Sequence, residues 1–121
     1  MEIVYYAIEA SEMIFMPERI RVEVLTANPP TLKCREVVMN LKEAIKGLER
    51  YLEIYVVKQG QTLPKGIFPT QGLVRAFKTR SIPGIVIDGH LIFSRIVPSS
   101  QEIRNEIIKA LKNKNIEVDA K

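Results

Sequence analysis

Residues 20 to 26, Ile-Arg-Val-Glu-Val-Leu-Thr, alternate apolar and polar side chains, which is the period of a β-strand with one face buried. Asn28-Pro29-Pro30 ends that strand, because proline has no N–H to give to a ladder. Apolar residues then recur at helical spacing at Cys34, Val38, Leu41, Ile45 and Leu48, with Val37 beside them, while Arg35, Glu36, Lys42, Glu43, Lys46 and Glu49 cover the other side. This pattern predicts a long amphipathic helix capped by Thr31 or Asn28. Leu52 to Val57 predicts a second strand, and its position after a helix suits a right-handed crossover to a parallel neighbour. A loop is expected from Gln59 to Pro69, followed by a short helix carrying Leu73, Val74 and Phe77 and ending near Thr79. Ile82 to Ile87 reads as a strand led by a proline, Asp88-Gly89 as a hairpin turn, and Leu91 to Ser94 as the returning strand. Ser99 and Glu102 stand in capping-box spacing ahead of a last helix with Ile103, Ile107, Ala110 and Leu111 on its apolar stripe. At the ends the pattern is weaker. Ile3 to Ile8 fits an extra edge strand, and Met13 to Met16 a buried connection or a contact surface for a second copy of the chain. The tail from Asn113 is polar enough to fray, with Ile116 and Val118 suited to a small strand.

Composition narrows this picture. A chain of 121 residues that is 46% hydrophobic can bury a single core and is too apolar for disorder. One cysteine excludes an internal disulfide framework and suits a reducing, cytoplasmic setting. No basic leader and no long apolar run directs the chain to a membrane. The net charge of +4 is spread among acidic residues, which disfavours nucleic acid as a partner. With one histidine and one cysteine no metal set of the usual soft ligands can be assembled, and no cofactor is expected. His90, just after the hairpin turn, reads as exposed.

Ser81-Ile82-Pro83, followed by Gly84 to Ile87, Asp88-Gly89 and His90 to Ser99, resembles the cis-proline strand and hairpin of thioredoxin-like and small glutaredoxin-like proteins. The resemblance spans residues 19 to 112 and leaves 1 to 18 as an N-terminal extension and 113 to 121 as a tail. It implies an α/β thioredoxin-like fold: a four-stranded mixed sheet with helices on both faces, the first and last on one face and the short middle helix on the other, with room for one extra N-terminal strand. It also implies a cis Ile82–Pro83 bond, an isomer that only proline makes inexpensive.

By the same resemblance Thr31 stands where the family has its attacking cysteine, and Cys34 where it has the resolving one. A threonine hydroxyl is not anionic near neutral pH, so a dithiol-disulfide oxidoreductase is disfavoured and Thr31 is expected to serve as a cap or as support for the thiol. Two forces compete at Cys34. The helix N-terminus, with Lys33 and Arg35 adjacent, favours a reactive sulfur, whereas the buried stripe favours a silent one. Thr-x-x-Cys is also a peroxiredoxin pattern, but that family has a proline where Ala27 stands here. The implied binding groove comprises Ile82, Pro83, Arg75 and Arg80, with the basic pair attracting acidic groups on an extended peptide or glutathione. Two functions follow as expectations: monothiol redox or thiol exchange through Cys34 with a protein or small-thiol partner, or a non-catalytic protein-binding module with an inert, buried Cys34.

Overall fold

A computed structural model describes residues 19–118. Four strands, β1 (Ile20–Thr26), β2 (Leu52–Lys58), β3 (Gly84–Ile87) and β4 (His90–Ser94), form one mixed sheet in the order β2-β1-β3-β4. Three helices, α1 (Leu32–Ala44), α2 (Gln71–Lys78) and α3 (Ser100–Asn113), complete an α/β fold. The β1–β2 pair is parallel, and the crossover between them runs through α1. β3 lies antiparallel to both β1 and β4. Asp88 and Gly89 have φ of 50° and 80°, the two positive values that a tight hairpin turn matching the strand twist requires. In the β3–β4 ladder Ile85 faces Phe93 but Val86 faces Leu91, so Ile92 is an extra residue that makes a bulge in β4.

The sheet is covered on both faces. On one, Ile20, Val22 and Val24 of β1 pack with Val37 and Leu41 of α1 and with Ile103, Ile107 and Leu111 of α3. On the other, Leu25, Tyr55, Val57 and Val86 pack under Leu73 and Ala76 of α2. The expectation that β1 has one buried face is therefore corrected: Glu23, on its polar side, is fully buried. The loop before α2 closes over that side, since Phe68 O accepts from Arg21 Nη1 and Thr70 donates to Glu23.

Three further expectations change. The apolar stripe predicted to run to Leu48 on one helix breaks after Ala44, and Ile45 and Leu48 are buried from the turn that follows. Gly47, at φ 83°, takes a conformation no helix contains, and a single 3-10 turn, Glu49–Tyr51, leads into β2. In α2 the sheet-facing residues are Gly72, Leu73 and Ala76, while Val74 and Phe77 are partly exposed. At the C-terminal end no strand forms at Ile116 or Val118 among the described residues. Instead Ile116 N–H donates to Leu111 O at 3.0 Å, Asn115 takes φ 58°, and the Ile116 side chain enters the core. The residues assigned to the N-terminal strand and to Met13–Met16 lie outside the described ones. No helix among the described residues is long and apolar enough to cross a membrane.

The capping box of α3 forms as its spacing predicts. Glu102 N–H donates to Ser99 Oγ at 3.1 Å, and Ser99 N–H donates to Glu102 Oε1 at 3.0 Å. That backbone N–H, with the Ser99 side chain second, holds the Glu102 carboxyl below the usual carboxylate range. Its contribution is thus present above the unfolded-state pKa and is lost as pH falls through the lower, folded-state one. Ser99→Ala is expected to cost about 1 kcal/mol, read as a shift in urea midpoint at unchanged slope.

Candidate functional site

The turn between β1 and α1 positions the cysteine. Thr31, extended at φ −79° and ψ 173°, is the N-cap of α1, and its Oγ1 accepts from Cys34 N–H at 3.2 Å. The same hydroxyl donates to Cys34 Sγ at 3.2 Å, and Ala27 N–H donates to that sulfur at 3.4 Å. Thr31 and Cys34 are therefore joined by two hydrogen bonds, one to the backbone N–H and one to the sulfur, and Ala27, the last residue before the Asn28-Pro29-Pro30 turn, closes over the sulfur. Cys34 is 0% exposed. Lys33 and Arg35 point their charge to solvent, so the sulfur's donors are a backbone amide and a hydroxyl rather than a cation.

Ile82–Pro83 is cis, as the resemblance implies, and so is Asn28–Pro29, which no sequence signal flagged. The β1–β3 register pairs Leu25 with Gly84. That is the last pair of the ladder, so the Ile82–Pro83 segment enters β3 at the end of the sheet where β1 runs into the turn that holds Cys34. Pro83 is buried, Ile82 half-buried, and Arg95 N–H donates to Pro83 O at 2.8 Å, which brings the end of β4 to the same place. Around this place Leu32 is 70% and Ile96 51% exposed, an apolar rim on an otherwise sealed site.

A chain of hydroxyls supports the proline segment. Ser81, fully buried, lies 2.7 Å from Thr79 Oγ1 and accepts from Ser94 Oγ at 2.7 Å. Gly84 is required next to it: a Cβ there would sit 2.4 Å from Ser81 O. The set has no sequence signature, because Ser94 reaches the Thr79–Ser81 pair only through the hairpin.

Arg75 and Arg80 are placed differently from each other. Arg80 takes φ 52° and ends α2, its N–H reaching Phe77 O at 3.3 Å while Ser81 N–H reaches Ala76 O at 2.9 Å. Arg75 lies one turn back on the exposed face of α2, where it lines a groove with Lys78 and with His90 and Leu91 of β4. That groove lies between helix and hairpin and includes neither Ile82 nor Pro83. His90 is exposed, as read from the sequence.

Sequence reasoning passed over Glu23. Its carboxylate accepts from Thr70 N–H at 3.2 Å and from Thr70 Oγ1, and lies 3.7 Å from Arg21 Nη1. Arg21 also donates through Nε to Glu53 at 2.9 Å and stacks 5.3 Å from the centre of the Tyr55 ring. The bonds to Phe68 and Thr70 run from β1 to the end of the 59–70 loop, so this set ties the loop to the sheet. Among the described residues no three histidine, cysteine, aspartate or glutamate side chains are grouped to hold a metal. No protein-family model and no curated protein matches the chain.

Proposed function

We propose that the chain is a thioredoxin-fold protein without dithiol chemistry, working as a binding module that receives a protein partner on the surface around the Thr31 turn and the Ile82–Pro83 segment. Support for the fold comes from the strand order β2-β1-β3-β4, the cis proline ahead of β3, and a helix that starts at the end of β1. Thr31 leaves the attacking position without a sulfur. The observation that carries the functional reading is the complete burial of Cys34, which denies a partner's sulfur any line of approach. The partner contact then falls to Leu32, Ile82 and Ile96, apolar side chains at the rim of that site.

A second reading has one observation in its favour. Cys34 Sγ accepts two hydrogen bonds, from the Thr31 hydroxyl and the Ala27 N–H, so polar groups already converge on the sulfur that thiol exchange would use. On that reading Cys34 attacks a disulfide of a protein or small-thiol partner, one new S–S bond forms, and the partner's other sulfur leaves as a thiolate.

Iodoacetamide separates the two. The module reading expects no labelling of the native protein at neutral pH and full labelling in denaturant, with Cys34→Ser still binding a captured partner. Native labelling at the rate of a free thiol, together with a mixed disulfide detected by mass, would overturn it in favour of thiol exchange.

A further inference from the structure

The charge of the chain is not evenly placed. From residue 59 to residue 101 the bases Lys65, Arg75, Lys78, Arg80 and Arg95 accompany a single acid, Asp88, and Asp88 is held by Lys114 at 3.3 Å. This stretch alone carries a formal +4, equal to the net +4 of the whole chain, so the remaining residues are balanced. It is also one structural unit: α2, β3 and β4, with the loops that join them. None of the five bases forms an ion pair among the described residues. Two of them, Arg80 and Arg95, stand at φ 52° and 63°, positions where glycine would relieve the backbone, so cationic side chains occupy sites that do not favour them.

The groove of about 710 Å³ between α2 and β4 lies within this unit. Arg75, Lys78 and His90 supply its polar wall, and Val74, Leu91 and Gly72 its apolar part. Val74 is half-exposed, and Gly72 leaves the helix without a side chain where it meets the hairpin. We propose that this groove docks an acidic protein segment whose carboxylates alternate with apolar side chains. Opposite charge supplies attraction and orientation, and the apolar strip supplies contact area. Single-stranded nucleic acid fits less well, because no phenylalanine, tyrosine or tryptophan lines the groove to stack successive bases, His90 being its single ring. This docking surface is separate from the Cys34 site and does not depend on how that site functions.

The test is fluorescence anisotropy with a labelled peptide alternating glutamate and leucine. Two probes of equal charge are run alongside it: a peptide alternating glutamate and serine, and oligo-dT. Tight binding of the glutamate–leucine peptide alone is expected, weakened about tenfold or more by Arg75→Glu with Lys78→Glu and unchanged by Lys42→Glu with Lys109→Glu, exposed bases on the other helices. Circular dichroism confirms that both double variants remain folded. Equal binding of the glutamate–serine peptide, preferential binding of oligo-dT, or indifference to Arg75→Glu with Lys78→Glu would each overturn the proposal. Residues 1–18 contain Glu2, Glu9, Glu12 and Glu18 and no base. If the unaltered chain does not bind the peptide and the variant with all four changed to glutamine does, the acidic segment seated in the groove is this chain's own N-terminal one.

Discussion

Glu23→Ala is expected to lower the free energy of unfolding by about 3–5 kcal/mol, the largest loss from any polar substitution in the described residues. The carboxylate is fully buried and accepts both the Thr70 N–H and the Thr70 hydroxyl. Removing it leaves both donors of the half-buried Thr70 without their acceptor at the start of α2 and takes from Arg21 one of its two carboxylates. The loop from Gln59 to Thr70 loses its tether to the sheet at the same time. Glu23→Gln should fall in between, since the amide keeps one acceptor oxygen but turns an NH2 group toward a donor. Glu53→Ala is the matched control: Glu53 bonds the same arginine but is partly exposed, and its loss should cost no more than about 1 kcal/mol. Urea unfolding of the three variants checks this. Equal midpoints for Glu23→Ala and Glu53→Ala would show that the buried carboxylate is not what holds the loop.

Gly72→Ala comes next, at about 3 kcal/mol, even though alanine is the better helix former. A Cβ at this position would lie 2.5 Å from Gly89 O and 2.6 Å from Val86 Cγ1, and the first of these is backbone that cannot rotate away. To admit one methyl group, α2 must lift from the hairpin, and Leu73 and Ala76 must lift with it. The expected result is a lower urea midpoint together with faster amide exchange in β3 and β4. Gly66→Ala isolates the backbone cost, because nothing lies within 4 Å of its Cβ although φ is +88°. It should lose only about 1 kcal/mol and leave hairpin exchange unchanged. Alanine tolerated equally at both glycines would rule out close packing as the reason for Gly72.

Elements with a strong period or a capping signal were legible from the chain alone. The alternation of β1, the crossover to β2, the Asp88-Gly89 turn and the Ser99–Glu102 box each rest on neighbours within a few residues, and each forms where its pattern places it. Glu23 was not legible, for a physical reason: alternation reports which side chains are polar, not whether the polar side is later covered. The loop that covers it arrives some 40 residues later in the chain. The short helix was misread on its apolar side because hydrophobicity ranks Val74 and Phe77 above Gly72 and Ala76, while close approach to the hairpin demands the small ones. At the candidate site the Thr31–Cys34 pairing follows from their three-residue spacing at a helix start. The Ala27 N–H that completes the sulfur's surroundings does not, because the Asn28-Pro29-Pro30 turn brings it there. Charge shows the same limit. A mild total conceals that one sheet half carries all of it, which becomes evident only when residues 59–101 are seen to form a single unit.

The extra residue at Ile92 bears on how copies of this chain behave at high concentration. β4 is an outer strand of the sheet among the described residues, and a regular outer strand offers evenly spaced amides and carbonyls to any extended segment that meets it. Between Leu91 and Phe93 that spacing is broken, because two residues occupy the length of one. An incoming strand in register with one half of β4 is out of register with the other, so growth of the sheet by stacking chain upon chain is interrupted at its first step. Main-chain pairing along this edge is therefore confined to one half of β4 at a time.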